Sequence, residues 1–311
     1  MAESILDGIA IDVELAAATA KSVQTLVVQP IALTFARSVD DLMNLLSLPL
    51  VLLTVGVSEA HRLVFFTQAL VRTRNATRWA DSPDARAEVQ AEVRRLAEEA
   101  RQDPESKFKP VDDAHAQLGH LLEHHQLDAP ARALLFAAVA LAWASFECAA
   151  KDAWIAALNS RPLQLAQSAF GSLPEGASAE GISGRQIGVG LLARYGFDLR
   201  DKLGTLLAPK FDFTSVSGIR GAYSAAFGKQ ADHEIALTDP PLGLLEATRH
   251  LIVHRAGLVD EEYHRRTGDA TPIGQVLQLN GFVVSNLANV GVSAGCKLLH
   301  AVDRWLTSHP A

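Results

Sequence analysis

Apolar residues recur along this chain at spacings of three and four, and no useful stretch alternates apolar with polar. That periodicity predicts helices and no sheet. Residues 1–80 carry long apolar faces and read as several helices. Residues 83–101 are highly charged, with Pro83 where a first helical turn tolerates it, and Val89, Val93 and Leu96 forming one narrow apolar stripe. Further helices are expected over Ala114–His125 and over Pro130–Asn159, whose apolar positions include Leu134, Val139, Leu141, Phe146 and Ile155 and which Pro162 ends. Arg185–Leu207 reads as a helix interrupted near Gly196. Val216–Phe227, Leu242–Arg255 (stopped by Gly257) and Ile273–Leu306 complete the set. Phe170–Gly184 is rich in Gly, Ser and Ala and reads as a loop. The fold class is therefore all-α, with no internal repeat.

Two features bear on organisation. Gln102–Asp113 is polar, carries two prolines, and is the expected boundary between an N-terminal helical region (1–103) and a second helical domain (113–311). The first region is assigned a dimerisation, regulatory or sensing role. Leu42–Ser58 is uncharged over 17 residues and is followed by Arg62, Arg72, Arg74 and Arg78, the order of a membrane anchor facing the cytoplasm. At 17 residues it is short for a span, so it is read as a buried core helix broken at Pro49, and a membrane partner is not expected.

Composition narrows the class. With 49% apolar residues among 311, the chain can bury a core, which excludes wholesale disorder. Two cysteines, Cys148 and Cys296, cannot build a disulfide scaffold and favour a reducing, cytoplasmic setting; the N-terminus lacks the basic start of a signal peptide. A net charge of −7 argues against an overall basic coat for nucleic acid but leaves a local patch possible.

Three motifs fail on inspection. Gly221–Lys229 has the wrong glycine spacing for a phosphate loop. Gly291-Val-Ser-Ala-Gly295 matches the nucleophile elbow only in letters, because its context is helical; its glycines read as points where helices approach closely. His120-Leu-Leu-Glu-His124 puts two imidazoles on one helix face, as zinc peptidases do, but a third ligand could come only from Glu175 or Glu180 in the soft loop, and His125 alongside suggests a merely polar face. No metal or other cofactor is expected.

One segment survives. In Leu244–Asp260, Arg249 and His254 form R-x4-H, with His250 directly after the arginine, Gly257 soon after, and Asp260 closing the run. On a helix His250 and His254 share a face, while Arg249 points about 140° away from His254. One chain therefore does not easily put Arg249 and His254 on one phosphate, whereas a two-fold pair of chains can. Arg255, His264, Arg265 and Arg266 add a local basic cluster suited to gripping RNA. The bland alternative is a solvated helix end, with ion pairs to Glu246 and Asp260.

Together with the Phe146-Glu147 pair in a long helix and a central helix like Leu191–Leu207, this run resembles the HEPN superfamily, in particular the larger subgroup typified by RiboL-PSP-associated domains. The resemblance covers about residues 113–308, and it departs from the usual pattern in having His250 where Asn is commonest. It implies an antiparallel helical bundle, a homodimer, and a metal-independent endoribonuclease site shared between two chains. His254 would be the general acid or base on the ribose 2′-hydroxyl or the leaving oxygen, and Arg249 the phosphate clamp. His250 would orient the phosphate or bridge the dimer, and Glu147 would orient His or Arg. A toxin or antiphage effector with a cognate antitoxin or regulator is one setting. A non-catalytic module binding RNA, nucleotide or a partner protein is the alternative.

Overall fold

The computed structural model describes residues 6, 8–103, 106–165, 189–228 and 231–310. The expected loop at Phe170–Gly184, with Glu175 and Glu180, lies outside the described residues. The described chain is all-α, with a single antiparallel bridge, Leu258 to Val276, and no strand. Two compact units divide it: Leu46–Pro130 form one, Leu6–Leu45 with Ala131–Ala311 the other. The stretch 102–113 thus falls inside a unit, and the divisions fall at residues 45/46 and 130/131.

In the first unit, the later part of α2 (Gln29–Thr73) packs on α3 (Pro83–Gln102). The expected stripe makes the contact: Val89 and Leu96 are buried with Ala69, and Val93, Phe65, Phe66, Leu70 and Trp79 close around them. Ser82 caps α3 by accepting from the Ala85 N–H at 3.3 Å, and Pro83 follows at the first turn. In α4 (Lys109–Glu123), Ala114, Leu118 and Leu122 form the buried stripe.

The second unit has two central helices, α5 (Asp128–Ser160), which belongs to it from Ala131 on, and α12 (Gly281–Ser308). α5 buries Trp143, Phe146, Trp154 and Leu158 on several sides. Trp154 Nε1 donates to the Ala222 carbonyl at 2.9 Å, and Tyr223 Oη donates to the Ala150 carbonyl at 2.8 Å, which ties α5 to α8 (Val216–Phe227). α12 is clasped by the N-terminal segment holding α1 (Val13–Ser22). Asn289 accepts from the Asp12 N–H at 2.8 Å, and Asp303 accepts from the Thr25 N–H at 2.8 Å and Thr25 Oγ1 at 2.7 Å. Gly295 permits the approach of the early part of α2, since a Cβ there would lie 2.5 Å from the Phe35 ring; Gly291 sits against Leu245. The glycine pair is a packing device, as its helical context predicts.

Several elements differ from expectation. Residues 1–80 hold two described helices, and Pro49 does not break the second: α2 runs unbroken for 45 residues. From Pro49 to Gln68 none of its residues is buried, so of the expected core helix Leu42–Ser58 only Leu42 and Leu46 are buried and the rest is not. A helix of that length absorbs the single hydrogen bond that a proline removes. The expected interruption near Gly196 is present: the described part of Arg185–Leu207 forms α6 (Val189–Arg194) and α7 (Leu203–Leu207), with Gly196 and Phe197 at positive φ between them. The last helix starts at Gly281, not Ile273, capped by Asn280. Residues 274–277 instead pair with 257–259, through Val259 N–H to Gln275 O at 2.9 Å and Leu277 N–H to Gly257 O at 2.8 Å. Two short helices escape the periodicity: α9 (Ala231–Leu237) and α11 (Glu261–Thr267).

Candidate functional site

α10 (Pro240–Arg255) carries the R-x4-H run, within the second unit. It starts on two prolines and buries Leu242, Leu245, Thr248 and Leu251, a spacing of three that fixes its inner face. Arg249 is left on the flank, half-buried, and His250 and His254 point outward. The helix stops because Ala256 and Gly257 turn left-handed, at φ 52° and 78°. Gly257 also faces Phe136 so closely that a Cβ would collide with the ring. Asp260 then caps α11, accepting from the Tyr263 N–H at 2.9 Å.

The rings of His250 and His254 lie 4.5 Å apart, centroid to centroid, as their spacing predicts. The two acids that could have neutralised the motif are engaged elsewhere. Glu246 pairs with Arg266 at 3.3 Å and accepts from the Val216 N–H at 3.1 Å. Asp260 pairs with Arg255 at 3.4 Å besides its capping bond. Among the described residues, Arg249, His250 and His254 make no side-chain hydrogen bond or ion pair, so the expected ion-paired helix end does not form around Arg249.

The other candidates are placed differently. Glu147 accepts from Trp143 Nε1 at 2.7 Å on its own helix and reaches neither Arg249 nor His254. Of the basic cluster, Arg255 and Arg266 face the acids just named and Arg265 pairs with Glu262, so His264 alone keeps an uncommitted side chain. The rings of His120 and His124 lie 4.4 Å apart, tilted at 58°, while His125 turns to Asp128 at 2.8 Å; no group of three metal-ligating side chains occurs among the described residues.

Sequence reasoning missed Glu246 as a brace. Its position three before Arg249 suggested that arginine as its partner, and only α11 folding back past Gly257 brings Arg266 in. It also missed a cleft of about 590 Å³ in the same unit, lined by Tyr223, Phe227, His233, Asp303 and Trp305. His233 is 3% exposed, and its Nε2 has no hydrogen-bond partner among the described residues. Burial pushes its pKa below the usual imidazole value, against the opposing pull of Glu234, Asp232 and a hydrogen bond to the Gly228 backbone. The signal was there, a histidine between two acids, but in a stretch to which the periodicity assigned no helix.

Comparison with protein-family models, with curated proteins and with solved structures yields no match.

Proposed function

We propose that the chain is a HEPN-type, metal-independent endoribonuclease whose site is completed by a second copy. The observation that carries this reading is the uncommitted trio Arg249, His250 and His254, beside acids already bound to other arginines. A half-buried arginine with no carboxylate partner is free to clamp a phosphate through two parallel N–H···O bonds. An exposed imidazole can take the proton from a ribose 2′-hydroxyl, or return one to the departing 5′-oxygen. The 2′-oxygen then attacks phosphorus, the bond to the 5′-oxygen breaks, and a 2′,3′-cyclic phosphate remains. Arg249 and His254 leave α10 in different directions, so a two-fold partner supplies the arginine opposite each histidine. Glu147 has no part in this site, and the grip on RNA falls to Arg249 and His264 rather than to the paired arginines.

The test is incubation of the purified protein with mixed RNA in EDTA, beside Arg249→Ala and His254→Ala. Cleavage leaving 2′,3′-cyclic ends is expected from the wild type. Each variant should lose on the order of 10²–10³-fold in rate, the usual cost of a general acid–base group or transition-state clamp. Equal cleavage by wild type and both variants overturns the proposal. RNA binding without cleavage replaces it with the non-catalytic module.

A further inference from the structure

We propose that the exposed apolar stretch of α2 docks on an anionic lipid surface. Leu48, Val51, Leu52 and Val55, at helical spacing, are 45%, 50%, 62% and 58% exposed. They lie within a run, Leu42–Ser58, that holds no charge on any side of the helix. The hydroxyls there are satisfied internally: Thr54 donates to the Leu50 carbonyl at 2.8 Å, and Ser58 to the Thr54 carbonyl at 2.7 Å. Such bonding suits a surface where water is displaced. Past this stretch, Ala60–Ala80 contain Arg62, Arg72, Arg74 and Arg78 and no acid. Arg62 and Arg72 pair with Glu59 and Glu92, while Arg74 and Arg78 are exposed and carry no ion pair among the described residues. Exposed apolar side chains on a helix that leads, about 28 Å further along, to two unpaired arginines are the chemistry that anionic headgroups over acyl chains recognise.

A second copy fits this face less well. Along the same line of the helix the apolar seam is bounded by Asp41 and Asn44 on one side and by the paired Glu59 and Arg62 on the other. It spans about two turns, short of the roughly three to four heptads that mark a coiled-coil seam. Lipid contact has no such length requirement, because a short apolar patch inserts and neighbouring arginines add to its binding.

The full chain is mixed with vesicles of phosphatidylcholine, with and without about a quarter phosphatidylglycerol, and floated on a density gradient. The wild type should float with the anionic vesicles and much less with the neutral ones. Leu52→Glu/Val55→Glu should lose at least about tenfold in binding, and Arg74→Gln/Arg78→Gln about fivefold for each arginine removed. All four positions are exposed, so far-UV circular dichroism and the thermal midpoint should stay unchanged, separating lost docking from lost folding. No flotation with either vesicle, or flotation unaffected by Leu52→Glu/Val55→Glu, overturns the proposal. So does a lipid-free dimer, detected by light scattering, that the same pair of substitutions dissociates.

Discussion

α2 and α12 are both long and apolar enough by composition to cross a membrane, yet the apolar window of α12 is 61% buried and that of α2 only 11%. Apolar content alone therefore does not decide burial; what decides it is whether other elements can come close. In α12, glycines at 291 and 295 remove the side chains that would hold neighbours off, and Ser285, Asn289 and Asp303 reach out to the backbone of residues 8–25. From Leu48 to Val55 no such fastener is seen among the described residues, and the Thr54 hydroxyl bonds back to the Leu50 carbonyl of its own helix; cover begins further on, where His61 pairs with Asp113 at 3.0 Å and Phe65, Phe66 and Leu70 pack on α3.

Paired substitutions break the comparison where it is strongest. Gly295→Leu drives a side chain into the Phe35 ring, which is itself buried, and overpacking at such a point should cost about 3 kcal/mol or more. In a thermal melt that is a midpoint lowered by roughly 6–12 °C. Leu52→Ser in α2 should change stability by less than about 0.5 kcal/mol. Equal losses from the two would mean that α2 is covered after all. Asp303→Ala comes next. It leaves the Gln24 and Thr25 N–H groups without their acceptor, at about 1–3 kcal/mol, read as a lower urea midpoint with an unchanged slope. An unchanged midpoint would show that the clasp on α12 is decoration.

How far this was legible beforehand follows from the range of each interaction. The α3 stripe and the His250–His254 pair rest on spacings of three and four, which the sequence displays directly. The ends of α10 were equally open to reading, because Pro240-Pro241 and Gly257 act locally. Pairings that depend on a turn were not. Arg266 comes to Glu246 only after the chain reverses at Ala256-Gly257, and residues 274–277 leave the helical pattern because they pair with that same reversal. The fate of Leu42–Ser58 was illegible for another reason. A uniformly apolar helix looks alike whether protein covers it or not, and Pro49 argued for a break that the surrounding turns override.

The smallest expected effect probes the packed side of α12 through the cleft beside it. His233 lies there with burial holding its pKa below the ordinary imidazole value, facing Glu234, Asp232 and the Asp232–Arg304 pair, with His300 and His309 on the cleft wall. In the unfolded chain the same imidazole protonates near pH 6.5. Between that pH and the lower folded value, the unfolded state binds the extra proton, so stability is full above about pH 6.5 and declines as pH falls through the folded pKa. One such group contributes a slope of at most about 1.4 kcal/mol per pH unit. His233→Leu should therefore flatten the urea midpoint between about pH 7 and 5 relative to wild type; the bond to the Gly228 backbone goes with it, which changes the height of the curve and not its slope. A variant as acid-sensitive as the wild type would assign the slope to other groups. The apolar run of α2 offers the complementary control: no titratable side chain occurs from Leu42 to Ser58. Acid that loosens the α12 unit should thus leave this run unchanged in charge, and the vesicle binding of Arg74→Gln/Arg78→Gln, freed of its two exposed arginines, should vary less with salt than that of the wild type.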